Sequence, residues 1–153
     1  VYGPFGTWTG GREKAPAALC RKVIEAADTG NHDIEIWGDG EQTRSFMYID
    51  DCLSGMGRLM ESSYTDPLNL GRAELVSING LLDIIEGIAG ITLKRNYDLS
   101  KPQGVRGRNS DNALIQSTLG WEPEVDLATG LEKTYRWIEE QYERRKRGEI
   151  VVD

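Results

Sequence analysis

Two cysteines and one histidine are all that the 153 residues offer towards a disulfide framework or a soft-metal site, and they show no metal-ligand spacing. Cys20 and Cys52 each fall inside an apolar helical pattern, so they read as buried reduced thiols and place the chain in a reducing cytoplasm. Positive charge is scarce too. Lys and Arg number 18 against 25 Asp and Glu, a formal charge of -7, which argues against nucleic acid as a partner because neutralising phosphates takes a basic surplus. Long apolar runs are missing: none approaches the roughly 20 residues that cross a bilayer, and no signal-peptide pattern opens the chain. Nor do three glycines at fixed spacing follow a strand, which excludes the usual cradle for a dinucleotide pyrophosphate. The composition fits one soluble acidic domain over residues 1–153. Its opening, Val1-Tyr2-Gly3-Pro4, reads as the end of a buried strand entering a turn, hence as the C-terminal piece of something longer.

The densest local signals lie between Trp37 and Asp51. Ile34 and Ile36 alternate with Glu35 and Trp37 as a strand, and Gly38-Asp39-Gly40 supplies positive-φ positions for a reversal. Beyond the turn the period stays at two. Gln42, Arg44, Phe46 and Tyr48 share one face, Thr43, Ser45, Met47 and Ile49 the other, so a hairpin is expected. Asp50 then stands as the N-cap of a helix carrying Leu53, Met56, Leu59 and Met60.

Around this stretch, residues 3–12 hold Gly3, Gly6, Gly10 and Gly11, too glycine-dense for an element and suited to a loop close to a ligand. A helix follows with Leu19, Cys20, Val23 and Ile24 as its stripe; Pro16 is tolerated in its first turn, and Lys14 stands at its mouth. Leu68-Asn69-Leu70 reads as a short strand. Ser77 caps a helix with Ile78, Leu81, Leu82, Ile85 and Ile88, ended by Gly90. Residues 91–96 alternate as a strand, Asp111 caps a short helix, and a final helix runs from about 127 to 145 with Leu131, Tyr135, Ile138 and Tyr142. Its end, Arg144-Arg145-Lys146-Arg147, reads as a solvated cationic terminus favoured by the helix dipole. Strands alternating with helices give an α/β class, with too few elements for a complete doubly wound sheet.

Two Tyr-x-x-x-Lys pairs, Tyr97 with Lys101 and Tyr142 with Lys146, read as accidental, since the pairing serves redox chemistry only on one buried helical face. A set of cations on loops and a strand is more telling. Lys14, Lys22, Arg44, Arg106 and Arg108, with Gln42 and the glycine loop, suit a small molecule bearing a diphosphate, because guanidinium forks bind phosphate oxygens bidentately.

Several stretches carry a resemblance. Tyr2-Gly3-Pro4, Trp37-Gly38-Asp39-Gly40, the run from Arg44 to Asp51, Asn69-Leu70-Gly71 and Leu119-Gly120-Trp121-Glu122-Pro123 resemble the C-terminal half of extended short-chain dehydrogenases acting on sugar nucleotides. Gly10-Gly11-Arg12-Glu13-Lys14-Ala15-Pro16 and Gly104-Val105-Arg106-Gly107-Arg108-Asn109-Ser110 are similar to the GDP-mannose 3,5-epimerases within that family. The resemblance implies an α/β fold corresponding to the C-terminal substrate-binding part, without most of the Rossmann sheet. It implies bound NAD that transiently oxidises C4 of a hexose, with a Cys and a Lys exchanging the protons at C3 and C5. By it, Lys14 matches the catalytic lysine, and Glu13, Ala15, Lys22, Gln42, Thr43, Arg44 and Arg108 match substrate-binding positions. NAD would be held mainly by an N-terminal half, with no cofactor residue and no metal ligand in this chain. The nucleotide-diphosphate sugar is the implied partner, with self-association into a homo-oligomer, and an isolated chain of this extent is expected to be inactive. Alternatives are another NAD-dependent 4-epimerase or 4,6-dehydratase, or a module that binds a sugar nucleotide or a protein without chemistry.

Overall fold

The computed structural model describes residues 1–102 and 104–152. Gln103, inside the expected loop 101–108, and Asp153 lie outside the described residues. Helices and short strands alternate: α1 Ala15–Thr29, β1 Asp33–Trp37, β2 Thr43–Arg44, α2 Ile49–Glu61, β3 Val76–Ser77, α3 Ile78–Ala89, β4 Lys94–Asp98, α4 Ala113–Leu119 and α5 Leu127–Lys146.

The helices begin and end largely where their punctuation dictates. Pro16 lies in the first turn of α1, where an N–H would have had no partner, and Gly30 ends the helix in the left-handed region. Ser77 accepts a hydrogen bond from Gly80 N at 2.9 Å and Asp126 one from Thr129 N at 2.9 Å, so α3 and α5 are side-chain capped. Their apolar stripes meet. Leu19, Cys20, Val23 and Ile24 of α1, Leu81, Leu82 and Ile85 of α3, and Leu131, Tyr135 and Ile138 of α5 form the main core, floored by Ile34 and Ile36 of β1. Each such aliphatic side chain contributes about 1.5–3 kcal/mol by leaving water. Met47, Ile115 and Trp121 make a second, smaller cluster.

The hairpin does not form. β1 pairs in parallel with β4, from Asp33 opposite Lys94 to Trp37 opposite Asp98, and β2 pairs antiparallel with β3. Gly38 and Gly40 do turn the chain at positive φ. The side-chain amide of Gln42, however, takes the Trp37 carbonyl at 2.9 Å, and Gly40 O and Gln42 O receive Asn79 N and Ile78 N at the start of α3. The turn therefore hands the chain to a second sheet. Between the sheets, Tyr2 N donates to Met47 O at 3.0 Å and Ile49 N to Tyr2 O at 2.9 Å, an isolated parallel bridge of the chain start with residues 47–49.

Other expectations shift for local reasons. Asp50 is not the N-cap of α2; Tyr48 is, without a side-chain bond, and Asp50 lies in the first turn, where its charge suits the dipole. Leu53, Met56 and Met60, expected as the core stripe of α2, are 59%, 49% and 83% exposed. Leu68-Asn69-Leu70 forms no strand: Leu68 and Leu70 pack on the second cluster and find no ladder partner among the described residues. The strand expected over 91–96 starts later, at Lys94, because Ile91 N and Leu93 N are taken by the backbone and the carboxylate of Glu86. Asn112 rather than Asp111 is the N-cap of α4, although the Asp111 carboxylate accepts from Ala113 N at 2.9 Å. The basic end of α5 is not simply solvated: Lys146 pairs with Asp28 at the end of α1, Arg147 with Glu149, and Arg145 covers the Trp8 ring. Among the described residues no helix is long and apolar enough to cross a membrane, and no group of three or more His, Cys, Asp or Glu could hold a metal ion.

Candidate functional site

A cavity of about 800 Å³ opens between the N-terminus of α1, the end of β1 and β2. Glu13, Lys14, Ala15, Lys22, Gln42 and Arg44 all line it, so six of the eight residues singled out in the sequence meet there. Its entrance is built by the loop before α1. Gly10 and Gly11 take φ of 87° and 83°, a conformation that costs glycine little, and the turn brings Gly11 N to within 2.7 Å of the Glu13 carboxylate. The other Glu13 oxygen receives Arg21 at 3.0 Å, and Arg21 is held in turn by Glu25 at 2.9 Å. Burial opposes the Glu13 charge, yet hydrogen bonds from its own amide, Arg21 and Gly11 together outweigh it and hold the carboxyl below its ordinary range. Glu13 thus enters the cavity wall as a fixed carboxylate.

Lys14 follows in extended geometry at the N-cap of α1, exposed, with no side-chain bond capping the first amides of the helix. Lys14, Ala15 and Ala18 at this helix end line the opening, where the positive end of the dipole favours an anion. About two turns further in, Lys22 donates to Glu35 O at 3.0 Å and ties α1 to β1. Opposite, Gln42 is 7% exposed, and its donation to Trp37 O fixes which way the amide points. Its buried carbonyl oxygen has no protein partner, leaving an oriented acceptor at the wall.

Arg44 donates to Thr43 O at 2.6 Å. The basic loop lies along β2, with Thr43 N donating to Arg106 O at 2.9 Å and Ser45 N to Arg108 O at 3.2 Å. Thr43 and Arg108 do not line the main cavity. Thr43 turns its hydroxyl to Arg106 O, whereas Arg108 lines an adjoining cavity of about 310 Å³ that shares Val1 and Ser45 with the first. Arg106 is engaged with Asp39 at 3.0 Å, and Lys101 sits 5.6 Å over the Trp37 ring. Neither Tyr-x-x-x-Lys pair reaches the cavity: Tyr97 bonds Asn79, and Tyr142 bonds Asp28 together with Lys146.

Arg21 and Trp37 were not singled out, yet both line the cavity, the latter 52% exposed with its indole N–H on Glu35. Arg21 had a legible signal. It precedes Glu25 by four residues within α1, about one helical turn, so those two side chains fall on one face, whereas Glu13 lies before the helix cap. Trp37 had only its place before the turn.

Residues 1–71 match the NAD dependent epimerase/dehydratase family. Over 146 residues, 95% of this chain, the sequence is 51% identical to GDP-mannose 3,5-epimerase 1 of Oryza sativa subsp. indica and 50% identical to GDP-mannose 3,5-epimerase of Arabidopsis thaliana. The chain spans 37% of the length of either relative. In structure it is similar to the UDP-glucose 4-epimerase of Thermotoga maritima solved with UDP-glucose, with a TM-score of 0.82 at 26% identity over 92% of this chain and 44% of that one. Over nearly its whole length the chain is thus similar to GDP-mannose 3,5-epimerases, and its fold is that of part of an extended short-chain dehydrogenase.

Proposed function

We propose that the two joined cavities bind a nucleoside-diphosphate hexose, GDP-mannose before other sugar nucleotides, as the substrate-binding part of a 3,5-epimerase. The observation that carries this reading is the placement of Arg44 and Arg108 on either side of Ser45, each lining one of two cavities that meet there. A diphosphate at the junction lies within the reach of two guanidinium forks and near the uncapped end of α1. The main cavity has the size of a small-ligand site, and Glu13 and Gln42 offer fixed acceptors to sugar or ribose hydroxyls. The likeness to GDP-mannose 3,5-epimerases at 51% identity supports GDP-mannose as the preferred ligand.

In this reading Lys14 takes up and returns a proton at a hexose carbon, standing at the cavity mouth beside the helix end. Ala15 admits the ligand close to the α1 amides, and Lys22 and Thr43 keep β1 and the basic loop in register. NAD is a separate matter. The described strands form two two-stranded sheets with no glycine turn entering a helix from a parallel strand, so these residues do not fit a dinucleotide and no redox step is assigned to them. Free Cys20 and Cys52 suit a reducing cytoplasm.

A thermal-shift panel with GDP-mannose, UDP-glucose, dTDP-glucose and NAD tests the proposal. A ligand at a hundred times its Kd stabilises the folded chain by about 2.7 kcal/mol, enough to raise Tm by several degrees. GDP-mannose is expected to give the largest shift and NAD none. A panel in which no sugar nucleotide shifts Tm contradicts the reading.

A further inference from the structure

The run Arg144-Arg145-Lys146-Arg147 does more than end α5. Trp8, in the glycine loop, is 1% exposed, and its indole N–H donates to Val152 O at 2.6 Å across 144 residues of sequence. The Arg145 guanidinium lies 4.6 Å over the same ring, and its Nη1 donates to Thr9 Oγ1 at 3.4 Å. The segment 149–152 is folded back into that position from several points. Arg144 donates to Ile150 O at 3.0 Å and pairs with Glu149, Arg147 pairs with Glu149, and Val152 N donates to the buried Gln141 side chain at 3.3 Å. An indole nitrogen can only donate, and a buried one needs an acceptor. That acceptor comes from the far end of the chain.

Three residues beyond Thr9 the same loop passes Arg12 and delivers Glu13 and Lys14 to the cavity wall. Gly10 and Gly11 give the loop little stiffness of its own, so its course must be fixed at its two ends. Arg21 fixes one end through Glu13. We infer that residues 149–152 and the basic end of α5 form a strap that fixes the other end through Trp8, making Trp8 and Arg145 positioning residues for the Lys14 loop. The consequence for ligand binding rests on the sugar-nucleotide reading of the cavity; the strap itself does not.

Two variants release the strap in different ways. Trp8→Phe keeps a ring beneath Arg145 and removes the donor, and a chain ending at Gly148 removes the acceptor. Arg12 is exposed, so brief trypsin digestion can read the loop by cleavage after Arg12, measured relative to cleavage after Arg58 in α2. Losing the bond is expected to raise that ratio about fivefold in both variants and to weaken GDP-mannose binding by a similar factor. Ser77→Ala, at the cap of α3 and away from both cleavage sites, is expected to lower Tm without changing the ratio, as a general loss of stability would. If Trp8→Phe does not fold, the shortened chain decides. An unchanged ratio in the shortened chain overturns the strap. If the unaltered chain binds no sugar nucleotide, the reading of the cavity fails, and the strap is still decided by the cleavage ratio.

Discussion

Glu13 concentrates several demands in one side chain: it closes the glycine turn, anchors Arg21 and faces the cavity. Its folded pKa lies below the ordinary 4.5, so the stability it adds is complete above the unfolded value and is lost as pH falls through the lower folded one. Acidification below about pH 4.5 is therefore expected to loosen the loop, seen as faster trypsin-independent hydrogen exchange at 10–13, and Glu13→Gln should remove that pH dependence. A pH dependence persisting in Glu13→Gln would assign it elsewhere. Cys20 gives a cleaner readout. Burial pushes its thiol up to about 12, while Cys52 is half-buried, so a disulfide reagent at pH 8 is expected to titrate one thiol in the native chain and two in denaturant. Two rapid thiols in the native chain would contradict the core as described. Lys14 is tested by completing the chain with the N-terminal portion of a GDP-mannose 3,5-epimerase and following solvent deuterium into C3 and C5 separately. Lys14→Ala is expected to abolish one exchange or alter its stereochemistry, and both exchanges continuing at the parent rate would exclude Lys14 from the chemistry.

The elements with local punctuation and a periodic stripe behave as their residues direct. Ser77→Ala deletes the cap of α3 and should cost about 1 kcal/mol in denaturant unfolding without weakening ligand binding; a change under a few tenths would mean the cap is idle. Helices α1, α3 and α5 were legible because Gly30, Gly90, Ser77 and the leucine and isoleucine stripes each act within a turn or two of chain. The hairpin was misread because strand pairing is settled at long range. Gly38, Gly40 and the Gln42 bond to Trp37 O set the turn locally, but the arrival of β4 beside β1 decides the partner, and nothing within residues 33–48 announces that. The stripe of α2 shows the opposite failure: Leu53, Met56 and Met60 have helical spacing, but spacing does not say what covers them. That Lys14, Glu13, Gln42 and Arg44 gather at one candidate cavity was legible from the resemblance and the cation set. The separation of Arg108 into an adjoining cavity depends on how loop 104–110 lies along β2.

At the scale of the whole molecule, that uncovered stripe on α2 is a contiguous apolar face of the kind that associates. The chain is expected to self-associate in sedimentation velocity, and Leu53→Lys with Met60→Lys to disperse it; a monomer before substitution would contradict this. The cavity is walled by α1, β1 and β2, and no residue of α2 lines it. Calorimetric titration of GDP-mannose into the chain and into its Arg44→Ala, Arg108→Ala double variant tests the sugar-nucleotide site most directly. Charge-assisted hydrogen bonds of about 1.5–3 kcal/mol each predict saturable binding by the unaltered chain and a loss of at least about tenfold in the variant. The same affinity in both chains, or no binding by the unaltered one, would contradict it.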